Sequence, residues 1–497
     1  MPLVEALTTV CSWTGLRDQG QALVAPVSQE PLPPAILGRV LLMTGFLFPD
    51  EQVARERRAL AELTIAGDDR GRAQAMLHLA FPDNTLLPGV EHRLRLCDAA
   101  AAVGRNLGDQ EIALLALEVR GTILGYAGLT DEAAEVLGSV WERVDVDSPP
   151  LVTVCGSAMM NHAFLLLALG DFPAADEVVA AADLRFLGAR HRWFMEVTQA
   201  AGMIYLGRYR DALTVIQSIP STTDELRALV AVLKAAALCE LSARSPQSDL
   251  ADEVDMLEAQ SMLLGWLGRT VQADVRAARG EPRPHRDLGA ALRRLSPSRP
   301  ALGWDGLALS LARYAPDEAA ETLADMWDHW PVGPRAGIHR IFTEALLGMR
   351  DPYPSYLAVA DSYVANGEFV LAAEAMRRAS TTAPTGRQSL EAHRMAIDHV
   401  SRTDAERSLA SLLRERRLPR VAGTPTIPAS QRHAVHSGLT PREAEVAELA
   451  TQGLTSQEIA VRLGISVATT RNHLQRLRDK LGIRSKRDLT RWARPTG

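Results

Sequence analysis

The run Tyr363-Val364-Ala365-Asn366-Gly367-Glu368-Phe369-Val370-Leu371-Ala372 carries the pattern that decides the fold. On either side of Gly367, small and apolar residues recur three and four positions apart, the spacing of two amphipathic helices. Glycine lets the backbone leave the first helix, the aromatic packs into the bend, and alanine permits close helix approach. The same turn, Gly-x-(Thr/Phe/Tyr)-x-x-Ala, recurs at Gly128 to Ala133, Gly170 to Ala175 and Gly207 to Ala212. Seven positions before these glycines stands a small residue: Gly121, Ala163, Ala200 or Ala360. The successive glycines are 42, 37 and 160 residues apart. The last interval is four units of about 40, so the period is that of a helical-hairpin array with degenerate members. Gly108 to Ala113 is a weaker echo, and residues 220–350 keep helical patterning without the signature.

The stretch from Tyr353 to Gly386 resembles a tetratricopeptide repeat, with Tyr356, Val359, Ala360, Tyr363, Gly367, Phe369, Ala372, Met376, Ala379 and Pro384 at its signature positions. The other copies match in part, which points to a solenoid of imperfect hairpins. Two stretches interrupt the pattern. Prolines 26, 31, 33 and 34 mark residues 1–35 as an irregular lead-in, and prolines 282, 284, 297 and 300, beside several arginines, mark 279–300 as a solvated loop. A basic ligand patch is the minor alternative for that loop.

The whole chain has 497 residues, 47% apolar and 23% charged, enough for two to four folded units and too apolar to be disordered throughout. Lysine occurs three times, at Lys234, Lys480 and Lys486, a bias that fits G+C-rich coding. The net charge of −6 conceals an uneven distribution: residues 431–497 carry +6, leaving −12 on the remainder. Only the basic tail is suited to a polyanion. Cys11, Cys97, Cys155 and Cys239 are widely spaced without metal-ligand patterning and read as buried thiols in a reducing compartment. The start lacks the basic and apolar segments of a secretory signal, so a cytoplasmic location is expected. Residues 151–170 carry no charge and could span a bilayer by length, but Thr153, Ser157, Asn161 and His162 and the repeat register favour a buried helix.

After residue 418 the helical pattern gives way to Pro419, Gly423, Pro425, Pro428 and Gly438, a flexible linker over 419–437. Helix punctuation then becomes dense. Thr440-Pro441-Arg442-Glu443 and Thr455-Ser456-Gln457-Glu458 are capping boxes, Ser466 can cap a helix ending at Leu481 before Gly482, and Ser485 to Asp488 offers a fourth start. Only Gly464, Ile465 and Ser466 separate the second helix from the third, the turn length of a helix-turn-helix unit. On the third helix Thr470, Leu474, Leu477 and Leu481 share one face and should anchor it to the core. The other face carries Asn472, Gln475 and Arg476 with Thr469 and Arg471 at its margins, donor-rich side chains suited to base edges and phosphates. Lys486 and Arg487, with Arg484 and Arg491, cluster near the last helix start, where they either contact phosphate or merely solvate that helix. Glu443, Glu458 and Thr440 read as caps, His473 as a packed and hydrogen-bonded side chain, and Trp492 as core.

These residues, Leu439-Thr-Pro-Arg-Glu-Ala-Glu-Val446, Gly453, Glu458-Ile-Ala460, Leu463-Gly-Ile-Ser466, Thr469-Thr-Arg-Asn-His-Leu474 and Lys480-Leu-Gly-Ile483, closely resemble the LuxR-type DNA-binding domain. The resemblance implies a four-helix domain over 438–497 that binds paired half-sites on double-stranded DNA as a dimer. It places Arg471, Asn472 and Gln475 toward DNA and Thr469 near its backbone. Thr470 stands where valine is usual and Arg476 where asparagine is common. With the helical repeats of 36–418, the arrangement resembles the C-terminal half of large ATP-binding LuxR-family regulators. Their P-loop is not matched, because no Gly-Lys pair occurs. A receiver domain, a metal site and a catalytic motif are likewise not recognised, and no cofactor is expected.

The expected protein is therefore all-α: a tetratricopeptide-like solenoid, a linker and a LuxR-type helix-turn-helix domain, acting as a bacterial transcriptional regulator rather than an enzyme. By resemblance it activates a gene cluster. Its partners are DNA, RNA polymerase as the resemblance allows, and a peptide, protein or small-molecule effector at the repeats, with no membrane. The alternative is an interaction scaffold in which DNA binding is secondary.

Overall fold

A computed structural model describes residues 17–27, 31–48, 51–80, 89–143, 149–182, 189–220, 223–241, 250–260, 262–294, 303–415, 446–447, 449–450, 454–463 and 466–481. Among them α-helices dominate and no strand occurs, as expected for an all-α chain.

Most helices pack on their chain neighbours, and one alternate series of helices also touches in succession. Pro34–Thr44 meets Asp69–Ala80, which meets Gln110–Tyr126, and so on through Pro149–Leu169, Ala189–Tyr205, Asp224–Leu241, Met262–Ala278, Trp304–Tyr314 and Pro334–Leu346. Such stacking buries a continuous core between units that could not bury their own faces alone. The turns follow the glycine pattern. Gly128, Gly170, Gly207 and Gly367 have φ of 76°, 83°, 74° and 79°, a left-handed backbone that favours glycine. The next N–H reaches back to a carbonyl five residues earlier, as from Arg208 to Met203 and from Glu368 to Tyr363, both at 2.8 Å. These bonds pair carbonyls that the helix ends would otherwise leave unsatisfied. The small residues sit where helices approach most closely: Ala163, Ala200 and Ala360 are fully buried, and a Cβ on Gly121 would lie 2.7 Å from Leu137 Cγ.

Residues 353–386 form a hairpin with a well-filled core. Tyr356, Val359, Ala360, Tyr363, Ala372, Met376 and Ala379 join one buried cluster with Phe342, whose ring meets Tyr356 and Tyr363 edge-on at 5.8 and 6.3 Å. Pro149–Leu169 is a core helix of the array, with its polar groups paired internally. Asn161 donates to Glu118 and Thr122, Trp141 Nε1 donates to His162, and Ser157 Oγ lies 3.1 Å from His191 Nε2.

The array also closes on itself. Pro334–Leu346 touches Pro149–Leu169, and Glu406–Arg414 touches Asp224–Leu241, so helices well separated in the chain meet. The closure is made by side chains that cap distant helices. Tyr209–Ser218 has no local side-chain cap, but Asp404 accepts the Tyr209 and Arg210 N–H groups at 2.7 and 2.8 Å. In return Glu240 accepts the Ser408 N–H and hydroxyl and pairs with Arg407 at the start of Glu406–Arg414. A carboxylate at a helix N-terminus satisfies exposed donors and complements the helix dipole, which offsets the cost of placing these acidic residues in partly buried positions.

Two expectations need correction. The lead-in contains a helix, Arg17–Val24, whose Val24 is buried against Leu47, because the four prolines all follow it. The proline-rich loop contains Leu288–Arg294, anchored by buried Leu288, Ala291 and Leu292. Its arginines do not form a free basic patch: Arg279 pairs with Glu281 at 3.1 Å and Arg294 with Glu258 at 3.1 Å. Cys97, Cys155 and Cys239 are free and buried as expected, and Cys11 lies outside the described residues.

Two predictions follow from this packing. Replacing Gly207 by alanine places a Cβ 2.6 Å from Thr403 at a φ of 74°, whereas a Cβ on Gly67 would meet nothing within 4 Å. Thermal melts should show Gly207→Ala costing roughly 1–3 kcal/mol from overpacking and backbone strain, and Gly67→Ala about 1 kcal/mol from strain alone. Glu118 supplies a pH test. Burial pushes its carboxyl up to about 7, against the opposing bonds from Thr122 and Asn161. Its folded value exceeds the unfolded one, so this contribution is complete in acid and lost as pH rises from about 4.5 through 7. Between pH 5 and 8 the wild type should lose up to about 3 kcal/mol more than Glu118→Gln, read by denaturant midpoints.

Candidate nucleic-acid interface

The second capping box closes as the sequence requires. The Thr455 N–H donates to Glu458 Oε2, and the Glu458 N–H donates to Thr455 Oγ1 at 3.3 Å, starting the helix Ser456–Leu463. Glu458 is therefore a cap, as expected. Ile459 and Ala460 on this helix are buried, and Ile459 joins Val446, Ala447, Leu449 and Ala450 in a small core against which Leu454, Leu463 and Leu474 pack.

The next helix, Val467–Leu481, begins at Ser466, whose Oγ accepts the Thr469 N–H at 3.0 Å. Its end at Leu481 is also as expected. Thr470 is fully buried, and its hydroxyl donates to the Ser466 carbonyl at 3.2 Å. That bond explains how threonine can stand where valine is usual: the shape is kept, and the added hydroxyl is satisfied one turn back. Leu474, one turn further on, rests on the small core. Thr470 and Leu474 thus fix the rotation of the helix.

This rotation exposes Arg471, Asn472 and Gln475, even with the repeat body present. The three lie within about one turn and present guanidinium and amide groups, donors and acceptors that match base edges in a major groove. Thr469 stands in the first turn of the same helix. It is half-buried, and its hydroxyl lies 2.8 Å from Ser466 Oγ, within the helix cap. Sequence spacing could have flagged this pairing, because a threonine three residues after a serine N-cap sits beside the cap itself. His473 is packed and half-buried, but its Nδ1 is buried without a hydrogen bond, contrary to the expected bonded histidine. Arg476 lies on the helix with its side chain outside the description. Lys486, Arg487, Trp492, the first capping box with Thr440 and Glu443, and the expected fourth helix lie outside the described residues, as does the linker over 419–437. Leu477 and Leu481 are helical, without described side chains.

Comparison with known proteins agrees with this geometry. Residues 437–493 match the family described as bacterial regulatory proteins, luxR family. A 48-residue stretch is 48% identical to the spore germination protein GerE of Bacillus subtilis (strain 168), covering 10% of this chain and 65% of that relative. The chain thus spans less than two thirds of that relative's length. Residues 437–493 are a GerE/LuxR-family helix-turn-helix domain.

The cap and the core make separable contributions. Ser466→Ala should cost about 1 kcal/mol through the lost N-cap. Leu474→Ala should cost about 2 kcal/mol, the low end for a partly buried leucine. Near-ultraviolet and far-ultraviolet melts of the full chain, resolved for its last transition, check both; an unchanged Leu474→Ala melt would show that the helix is rotated otherwise.

Proposed function

We propose that the chain is a sequence-specific, DNA-binding transcriptional regulator, in which the C-terminal domain selects promoters and the helical repeats receive a signal or recruit a partner. The observation that carries this reading is the division of Val467–Leu481. Thr470 and Leu474 hold one side in the core, while Arg471, Asn472 and Gln475 stand exposed on the other within a luxR-family segment. In this reading Arg471, Asn472 and Gln475 contact base edges, Arg476 adjoins them, Thr469 lies near the phosphate backbone, and Lys486 and Arg487 contact phosphates. The positive charge of residues 431–497 supports backbone attraction, against an acidic body that supplies none.

A short reading helix covers few base pairs, so the operator is a two-fold site bound by a homodimer, which gains affinity through the second contact. The domains are an N-terminal lead-in over 1–35, a repeat body over 36–418, a linker over 419–437 and the DNA-binding domain over 438–497. The regulator works in the cytoplasm at the nucleoid, activates a gene cluster and engages RNA polymerase there. Closure of the coil favours an effector that acts on the outer faces or on the closure itself over a peptide lying along a fully open groove.

Gel-shift titration of the full chain on its own upstream DNA tests the reading. Arg471→Ala and Gln475→Ala should each weaken specific binding by roughly 1–3 kcal/mol while leaving the melt unchanged. Affinity should fall steeply with added salt as counterions are released. Unaltered affinity in both variants removes the proposed reading face.

A further inference from the structure

Residues of the helices Pro149–Leu169, Phe172–Ala181 and Ala189–Tyr205, with Leu206 and Arg208 of the following turn, enclose a cavity of about 170 Å³. Its wall is mostly apolar, built from Leu167, Phe172, Ala175, Val179, Met203 and Leu206. Gly202 adds no side chain to that wall, and a Cβ there would meet only Leu167 Cδ1, at 3.2 Å. A void of about 150 Å³ with apolar walls takes a molecule the size of benzene, so this one has room for a single six-membered ring. The Phe172 ring and the Met203 thioether are wall groups that favour an aromatic ring over an aliphatic chain of equal size.

The polar groups in the wall are few, and their pairing decides what else a ligand must carry. Arg208 already meets Asp211 at 2.9 Å, so its charge is answered within its own turn. Thr198 donates its hydroxyl proton to the Phe194 carbonyl at 2.9 Å and keeps only acceptor capacity. Asp176 is exposed and has no hydrogen bond or ion pair among the described residues; the half-buried Gln199 amide has none either. The wall therefore offers acceptors and one uncompensated negative charge. A primary ammonium, with three donors and no acceptor, answers both needs. An anion would face Asp176 with no free cation to offset it. The acidic body, at −12 over residues 1–430, also concentrates cations near the site.

The cavity borders a place where early and late parts of the array meet. Leu206 lies against Gly367, where a Cβ would come within 3.1 Å of it, and Tyr209, just beyond Arg208, takes its N–H cap from Asp404 at 2.7 Å. A ligand seated here touches a segment that residues near the end of the body hold in place.

We propose that this cavity binds a small aromatic primary amine, with its ring against Phe172 and Met203 and its ammonium paired with Asp176. That such an amine serves as the effector of the repeat body rests on the regulatory reading above; its binding does not.

Titration of the full chain without DNA, followed by saturation-transfer NMR near neutral pH, tests the site with benzylamine, benzyl alcohol and benzoate. Benzylamine should bind about five-fold more tightly than benzyl alcohol, and benzoate more weakly than either. Asp176→Asn should bring benzylamine to the level of benzyl alcohol and leave benzyl alcohol unchanged. Val179→Phe, given a native melt, should abolish binding of both by filling the cavity. No binding, equal binding of the three, or benzylamine affinity unaltered in Asp176→Asn overturns the proposal. The effector role has its own readout: saturating benzylamine should change the gel-shift affinity of the wild type and not that of Asp176→Asn. Benzylamine that binds without that change overturns the effector role, whereas absence of any gel shift counts against the DNA-binding reading and leaves the titration standing.

Discussion

Two carboxylates complete helix starts across the closure, beside apolar cores that join the same arms of the array. Asp404 caps a helix that begins at Tyr209, and Glu240 caps one that begins at Glu406. A helix start leaves N–H groups without intrahelical partners, and here each start is completed by a residue from the opposite arm. Apolar packing builds the hairpins and also joins the arms, with Leu124, Leu137 and Leu165 in one buried cluster with Trp304, Trp330 and Ala336, and Tyr209 and Ala237 in another with Tyr356, Met376 and Leu412.

Much of this was legible in the sequence because local chemistry fixed it. The turns at Gly128, Gly170, Gly207 and Gly367 could be located because glycine, a following side chain that fills the bend and alanine recur at fixed offsets. Gly108 looked like a faint echo, yet it adopts the same left-handed turn, with Asp109 capping the next helix through the Ile112 N–H. Its echo is weaker because Gln110 stands where Thr130, Phe172, Tyr209 or Phe369 follows the other glycines. Gly67 and Gly348 also have positive φ values, at 65° and 71°, without the motif. What single-sequence reading could not reach was the closure. The partners Asp404 and Tyr209 lie 195 residues apart, and nothing in the composition of either segment names the other.

The candidate interface was legible for a different reason. Its helices carry their own start signals, and Thr455, Glu458 and Ser466 perform as their spacing demands. The division between Thr470 and Leu474 on one side and Arg471, Asn472 and Gln475 on the other followed from helical period alone. Thr469 shows what that logic leaves out: on the margin of the polar face, its hydroxyl also lies 2.8 Å from Ser466 Oγ. Periodicity gives direction, whereas hydrogen-bond competition at a helix start depends on atoms that only coordinates reveal.

The long separation between the two capping partners has a consequence during synthesis. Tyr209 and Arg210 leave the ribosome almost two hundred residues before Asp404 exists, so the start of that helix is completed only late in translation. Early hairpins can assemble from nearby contacts as they emerge, but the closed coil has to await nearly the whole body. Nascent chains stalled short of residue 404 would therefore leave the Tyr209 and Arg210 N–H groups without the carboxylate that caps them in the finished protein.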